Sequence, residues 1–159
     1  MDVQYQTNRA TTTTRAISTL GECPKWDAAV QDFLRSQALA QSAEKFGLLQ
    51  RASEASDVAQ GEVEAKFGRN WKANDEAKAI LAPFRAALLK AEEDIAERYY
   101  RPLWAAQRRL ALTTPPSLNA ALFKAELIES EEVWNDTQLG RDAFDIVADD
   151  MARFAGEAA

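Results

Sequence analysis

Apolar residues recur at helical spacing throughout the stretch from Asp75 to Leu112. In its first part, steps of four and three residues separate the apolar positions Ala77, Leu81, Phe84, Leu88, Ala91 and Ile95. This spacing puts them on one face of a helix that packs lengthwise against other helices. Pro83 and Pro102 each remove one backbone hydrogen bond, so we predict a long central helix with a kink or break at each proline.

The spacing changes just before Pro102. Ile95, Tyr99 and Leu103 are separated by two successive four-residue steps, which shift the apolar face around the helix. We therefore expect the second part of the central helix to present a different face from the first.

The segments before the central helix have their own signals. Residues 1–22 contain a run of threonines and few apolar residues, which predicts an extended or disordered arm. Pro24 suits the first position of a helix. Apolar residues then follow at helical spacing: Trp26, Val30, Phe33 and Leu34. Gly68 is expected to end a helix and Asn74 to begin the next, which predicts an antiparallel reversal.

Two further helices are predicted in the C-terminal third. The prolines of residues 113–117 end the central helix, and Ser117 is a good N-cap for the helix that follows. The apolar face of this helix consists of Leu118, Ala121, Leu122, Ala125 and Ile128. The last helix, from about residue 142 to 154, has an apolar face of Phe144, Val147, Met151 and Phe154. Together they predict an αα-hairpin.

These elements predict an all-α protein, namely an elongated helical bundle with a long, proline-kinked central helix and a C-terminal αα-hairpin. A chain of 159 residues can bury a sizeable core as one domain. The predicted organisation is an arm over residues 1–22, a long-helix bundle over residues 23–116 and the hairpin over residues 117–159, the last two in one domain. The tryptophans expected in the core or between the helices of a hairpin are Trp26, Trp71 and Trp134.

Composition excludes several kinds of chemistry. The chain has no histidine, which removes Ser-His and Cys-His nucleophile pairs and the common zinc sites. The single cysteine, Cys23, cannot form an intrachain disulfide. No apolar run approaches the roughly 18 residues needed to cross a bilayer, and polar residues such as Gln4 and Asn8 interrupt any signal-peptide pattern. We therefore expect a cytoplasmic protein with no membrane span and no catalytic residues.

Negative charge is concentrated at the C-terminal end. Residues 117–159 contain ten acidic and three basic residues, a balance of −7, whereas the whole chain carries −6. Contacts with phosphates need positive charge, so this segment argues against direct binding to nucleic acid. The acidity suits a basic protein partner, or it serves solubility.

Four carboxylates in this third have the spacing of a metal site. The pairs are Glu126 with Glu129 and Asp142 with Asp145, each three residues apart on successive predicted helices. Carboxylates arranged in this way can hold Mg²⁺, and the spacing resembles the ExxE…ExxD pattern of all-α nucleoside triphosphate pyrophosphohydrolases. Ala125 stands where that family usually has a further glutamate. The alternative is structural, with Asp142 and Asp145 capping the last helix.

A second candidate group combines aromatic and basic residues around Pro102. Its members are Tyr99, Tyr100, Arg101, Trp104, Arg108 and Arg109. Arginine beside aromatic residues is typical of protein interfaces, and such a group can also stack nucleic-acid bases. The structural alternative places the aromatic residues along the core and the arginines in solvent-facing ion pairs.

The C-terminal third, "TPPSLNAALFKAELIESEEVWND" with "RDAFDIVADDMARFAG", resembles uncharacterised small proteins encoded in prophage-like regions of alphaproteobacteria. The resemblance covers about a quarter of the chain and implies an accessory protein of a mobile element, including a structural or host-defence-inhibiting one. It implies no functional residues.

The sequence as a whole favours a non-enzymatic protein that works through protein–protein contacts, with a protein partner or as a homo-oligomer, and without a cofactor. One alternative is a Mg²⁺-dependent nucleotide pyrophosphohydrolase that uses the four carboxylates. Another is a DNA-mimicking inhibitor, which would need its acidic residues in a phosphate-like array on one surface.

Overall fold

Every regular element in the described part of the chain is helical. The computed structural model describes residues 13–21 and 23–157. Its six main helices are α1 (Pro24–Lys45), α2 (Leu48–Phe67), α3 (Asp75–Ile95), α4 (Arg101–Leu112), α5 (Leu118–Ser130) and α6 (Ala143–Glu157). Residues 13–18 are also helical, and short 3₁₀ turns occur at Trp71–Ala73 and Val133–Asn135. The predicted all-α helical-bundle class is confirmed.

The helices form two compact units, whose limits differ from the predicted segments 23–116 and 117–159. The terminal unit comprises the described residues up to Ala38 and those from Leu103 onward, and the middle unit comprises Leu39–Pro102. Both limits fall inside helices, α1 and α4 respectively.

In the middle unit, α2 and α3 pack against each other through the predicted reversal. Gly68 has a φ of 71° and its backbone N–H donates to the Glu64 carbonyl, which ends α2. Only glycine adopts this left-handed conformation at little cost. Asn74 then accepts a hydrogen bond from the Ala77 backbone N–H at 3.1 Å and begins α3. Both predicted caps are confirmed.

Trp71 lies in the core of this reversal, as predicted. Its side chain is buried and its Nε1 donates to Glu64 Oε1 at 3.0 Å. Apolar residues from α2 and α3 pack around it: Ala59, Val63, Phe67, Ala77 and Leu81. The apolar face of α3 is therefore well buried at the end near Trp71, whereas Phe84, farther along it, stays 38% exposed.

The two prolines of the central segment, Pro83 and Pro102, are associated with different helix geometries. Helix α3 continues through Pro83, so the predicted break does not occur there. Pro83 and Ala79 both lie on the exposed side, where water can bind the carbonyl that loses its partner. Before Pro102, the chain forms a π-helical segment, Ala96–Tyr100. A π turn takes in one more residue than an α turn, which fits the extra four-residue step in the sequence.

The core of the terminal unit is built around Trp26. Its side chain is fully buried, its Nε1 donates to Thr19 Oγ1 at 2.9 Å, and its ring meets Phe123 edge-on with centroids 6.4 Å apart. Ala16 is buried in the same unit. The predicted extended arm is therefore wrong for residues 13–18, because burial of Ala16 and Thr19 outweighs the low helix propensity of threonine; residues 1–12 lie outside the described part.

The predicted C-terminal αα-hairpin is confirmed, with α5 packed on α6. Ser117 Oγ caps α5 by accepting a hydrogen bond from the Ala120 N–H at 3.3 Å. One core cluster joins the two helices, their connection and the end of α4: Ala111, Ile128, Val133, Leu139, Ala143 and Ile146. The predicted apolar faces were partly wrong, since Leu118, Leu122 and Phe144 are exposed.

A charged residue, Lys124, lies on the buried side of α5. Lys124 is 2% exposed, and its Nζ donates to Asp150 Oδ2 at 2.7 Å and to the Thr113 carbonyl at 3.0 Å. Hydrophobic patterning assigns both charged residues to the solvent side, whereas their mutual pairing allows them to face the core. Burial lowers the pKa of Lys124, and the hydrogen bond with Asp150 offsets part of that effect.

No helix in residues 13–21 and 23–157 has the length and apolar character needed to cross a membrane.

We predict that Lys124→Met destabilises the protein by about 2 kcal/mol, because Asp150 and the Thr113 carbonyl would lose their partner in a mostly buried position. The matched control is Lys90→Met, since Lys90 forms an exposed pair with Asp94; this change should cost less than about 0.5 kcal/mol. Urea denaturation measures both values. Equal effects would contradict a structural role for the buried pair.

The lowered pKa of Lys124 also predicts a pH dependence. Between the folded-state pKa and the ordinary lysine value of 10.5, the unfolded chain binds the proton more tightly, so the unfolding free energy rises with pH in that window. Lys124→Met removes the titrating amine. The stability difference between wild type and variant should therefore grow as the pH rises toward 10.5. A constant difference in urea denaturation would contradict this.

Candidate functional site

The terminal unit contains a surface cleft of about 370 Å³ between α4 and the connection from α5 to α6. Helix α4 contributes Trp104, Gln107 and Arg108. The connection contributes Glu131, Glu132, Val133, Asn135, Asp136, Thr137 and Gln138. The walls therefore combine an aromatic side chain with several charged and amide groups.

Helical spacing brings Trp104 and Arg108 to the same wall. The two residues are four positions apart on α4, which places their side chains one turn apart on one face. Leu103, Ala106 and Leu110 are buried and hold α4 to the core of the terminal unit. Trp104 lines the cleft and remains 49% exposed.

Arg108 holds the opposite wall of the cleft in place. Its Nε donates to Asp136 Oδ2 at 2.8 Å, with side chains that are 24% and 20% exposed. The other oxygen of Asp136, Oδ1, accepts from the Gln138 backbone N–H at 2.8 Å. This ion pair neutralises the arginine and fixes the connection at Asp136 to helix α4.

A second polar contact orients an acidic residue at the cleft. Gln107 is 5% exposed, and its Nε2 donates to Glu131 Oε2 at 3.0 Å. Because the amide is buried, its geometry is fixed by the surrounding packing. The Glu131 carboxylate is therefore held at the wall and is not simply a mobile surface charge.

Glu132 has an unusual backbone conformation. Its φ is 53°, the only positive φ of a non-glycine residue within the described ranges. This left-handed conformation costs a residue with a side chain roughly 1 kcal/mol. It reverses the chain directly after α5, and the buried Val133 anchors the following 3₁₀ turn. Two consecutive glutamates thus line the cleft.

The charges that line the cleft do not balance. Arg108 supplies one positive charge, while Glu131, Glu132 and Asp136 supply three negative charges, a net charge of −2. The charges of Arg108 and Asp136 neutralise each other, because the two side chains form an ion pair.

The six predicted interface residues are divided between the two units, with three in each. Tyr99 is half-buried, and Tyr100 donates its hydroxyl to Glu44 Oε1 at 3.2 Å. Arg101 pairs with Glu93 at 2.7 Å and with Glu97. These contacts lie within the middle unit.

The other members belong to the terminal unit. Arg109 pairs with Asp32 of α1 at 2.6 Å and does not line the cleft. Only Trp104 and Arg108 of the predicted group meet there. In the sequence, the i,i+4 spacing of these two residues was the signal that they share one face of a helix.

The four residues of the predicted metal site have separate surroundings. Glu126 pairs with Arg15, and Asp142 Oδ1 caps α6 by accepting from the Phe144 N–H at 2.8 Å and the Asp145 N–H at 3.3 Å. Glu129 and Asp145 are exposed. In the described part of the chain, no group of three or more histidine, cysteine, aspartate or glutamate side chains is arranged to hold a metal ion.

Several of the C-terminal acidic residues are paired with bases. Asp149 accepts from Arg141 at 2.6 Å, and Asp150 is occupied by the buried Lys124. Asp136 and Glu126 have the partners given above. This pairing leaves fewer unneutralised carboxylates for the phosphate-like array that a DNA mimic requires.

Sequence reasoning missed most of the cleft. Gln107, Glu131 and Asp136 carry no pattern that distinguishes them from ordinary helix and turn residues. Trp134 was predicted to lie in the core or between the helices of a hairpin, and its exposure of 50% excludes the core position. Val133 takes the buried position of this turn instead.

We predict that Trp104 contributes less to stability than the buried Trp26. Trp26→Ala removes a fully buried ring and should cost about 3–5 kcal/mol. Trp104→Ala removes a half-exposed ring and should cost about 1 kcal/mol. The measurement is urea denaturation of the two variants. A similar cost for both would mean that Trp104 is principally a packing residue.

The cleft therefore combines a half-exposed tryptophan with two carboxylates, Glu131 and Asp136, that are held by hydrogen bonds to Gln107 and Arg108. No protein-family model, curated protein or solved structure matches this chain.

Proposed function

We propose that the protein works by binding a short segment of another protein in the cleft that Trp104 lines, and that it is not an enzyme. The observation that carries this proposal is the half-exposed indole of Trp104 on the wall of a concave site. Tryptophan and arginine are the residue types most enriched at the energetic centres of interfaces. Here both types lie on one turn of α4.

The exposed part of Trp104 can supply substantial binding energy. A tryptophan side chain buries about 150–250 Å² when it is fully covered. With 49% of the residue exposed, a ligand could cover roughly 100 Å² more, which corresponds to about 2.5 kcal/mol at about 25 cal/mol per Å². This is the range of an interface hot spot.

The site is also prepared for binding before a ligand arrives. Arg108 fixes the connection through Asp136, and Gln107 fixes Glu131. Groups that are already ordered lose less conformational entropy when a complex forms. The contacts under the cleft therefore favour recognition of a defined segment.

The dimensions of the cleft limit what it can hold. A volume of about 370 Å³ is at the lower end of the range for ligand pockets, about 300–1,000 Å³. The cleft accommodates a few side chains and not a folded domain. A short peptide segment of a partner fits this limit better than a broad interface does.

The biological setting follows from the resemblance of the C-terminal third to prophage-encoded proteins. In this proposal the protein is an accessory protein of a mobile element, and it meets its partner in the cytoplasm. A second copy of the chain that inserts such a segment would give a homo-oligomer by the same contact.

A selection from random linear peptides displayed on phage tests the proposal. We expect enriched peptides whose dissociation constants rise by about tenfold or more in Trp104→Ala, because the indole surface is lost. Trp134→Ala is the matched control, since Trp134 is also half-exposed but does not line the cleft.

Peptides that bind Trp104→Ala as tightly as wild type would contradict the proposal. So would a selection from which no peptide is enriched. Sedimentation of wild type and Trp104→Ala distinguishes a second copy from a different partner: a dimer that is lost only in this variant would identify the second copy.

A further inference from the structure

We propose that two copies of this chain associate through one side of the α2–α3 pair and form an antiparallel four-helix bundle. The surface lies in the middle unit, so it is separate from the cleft of the terminal unit and from the proposed function. Three of its features support this proposal: an apolar centre, the arrangement of its charges and its size.

Helix α2 contributes the first half of the surface. One of its faces carries four residues at steps of four, three and four positions: Arg51, Ala55, Val58 and Glu62. All four residues are exposed, and Val58 is 64% exposed. This face therefore has an apolar centre with a base at one end and an acid at the other.

Helix α3 contributes the second half of the surface. Ile80, Phe84 and Ala87 are separated by steps of four and three residues, so they share one face of the helix. All three are exposed, which means that no element in the described part of the chain covers their side chains completely. Exposed apolar residues that adjoin one another mark interaction sites on soluble proteins.

An ion pair indicates that the two faces lie on the same side of the helix pair. Lys66 lies one turn beyond Glu62 on α2, in line with the first face. Glu76 lies one turn before Ile80 on α3, in line with the second face. The side chains of Lys66 and Glu76 pair at 2.9 Å. The two faces therefore form one continuous surface, which we call the bundle surface.

The charges of α2 are arranged to pair with those of a second copy. Arg51 and Glu62 lie at equal distances along the helix from the midpoint between Ala55 and Val58. If two α2 helices lie antiparallel about this midpoint, Arg51 of each copy meets Glu62 of the other. A two-fold axis produces this reciprocal contact, whereas a parallel arrangement would place like charges together.

Both charges are available for such a contact. Within residues 13–21 and 23–157, neither Arg51 nor Glu62 forms an ion pair in its own copy. The same antiparallel arrangement places Ala55 of one copy against Val58 of the other. A small residue therefore meets a larger one at the centre, which allows the two helices to approach closely.

The size of the bundle surface suits a specific but weak dimer. Helices α2 and α3 contain 20 and 21 residues, so the pair is about 30 Å long and about 20 Å wide. Stacking two such layers covers about 600 Å² on each copy, or about 1,200 Å² in total, which is the lower end of the range for specific interfaces. Four antiparallel helices packed in two layers are a common stable arrangement. We expect a dissociation constant of about 1–100 μM.

Sedimentation velocity of the full-length chain, at concentrations from about 1 to about 500 μM, tests the proposal. Wild type should show a monomer–dimer equilibrium. Val58→Glu should raise the dissociation constant by about tenfold or more, because it places a charge at the apolar centre.

Leu89→Glu is the matched control for Val58→Glu. Leu89 is 65% exposed, and it lies two positions after Ala87, so the two residues do not share a face of α3. This variant should dimerise like wild type. Circular dichroism should show unchanged helicity in both variants, because both side chains are exposed in the monomer.

Exchange of the two charges tests the antiparallel pairing. Arg51→Glu and Glu62→Arg should each weaken the dimer by about fivefold, because like charges would then face each other across the two-fold axis. The double variant Arg51→Glu with Glu62→Arg should restore the wild-type dissociation constant, since it re-forms both pairs at the same net charge. Added salt should reduce these differences.

The outcomes distinguish this dimer from the proposed peptide binding. A wild type that stays monomeric at all these concentrations would overturn the dimer and leave the peptide-binding function standing. A dimer that persists in Val58→Glu but is lost in Trp104→Ala would mean that the cleft joins the two copies instead. If the double charge variant stays as weak as the single variants, the antiparallel dimer is wrong. A failed peptide selection would contradict the proposed function alone.

Discussion

The ion pair between Lys124 and Asp150 constrains how the helices of the terminal unit are arranged. The Lys124 amine joins three parts of the chain, because it lies on α5 and donates both to Asp150 on α6 and to the Thr113 carbonyl after α4. The cleft is formed by α4 and by the connection between α5 and α6. The position of this buried amine therefore influences the relative position of both walls.

Joining helices through a buried ion pair has an unfavourable desolvation free energy. Removing two charges from water costs several kcal/mol, and the attraction between them need not exceed that cost. What the pair adds is a requirement for one arrangement, since only a helix orientation that brings Asp150 to Lys124 avoids an uncompensated charge. A fixed arrangement of helices is what a preformed cleft needs, because its walls come from different elements. The apolar cluster that includes Ala111, Ile128 and Ile146 supplies the burial around the same helices.

The fold of the middle unit depends more on local contacts, and the sequence predicted it better than it predicted the terminal unit. Gly68, Trp71 and Asn74 act within a short stretch of chain, so their roles depend on local hydrogen bonds and on neighbouring helical turns. Three signals apply here: a glycine with a left-handed φ, an asparagine at an N-cap and a regular apolar spacing. Each can be interpreted from the neighbouring sequence, without knowing which distant residues are in contact. The extra four-residue step near Pro102 was also a local signal, and its structural form is the π-helical segment Ala96–Tyr100.

The sequence by itself determined the all-α class, the helix caps and the C-terminal hairpin, because spacing and capping act over a few residues. It identified Trp104 and Arg108 as candidates but could not separate them from Arg101 and Arg109, since neighbours in sequence turn to different partners on a helix. Only the tertiary structure decided that Lys124 faces the core and that Glu131, Glu132 and Asp136 join Trp104. These outcomes depend on which distant charge or surface each side chain meets, and the periodic pattern of a single helix carries no information about that.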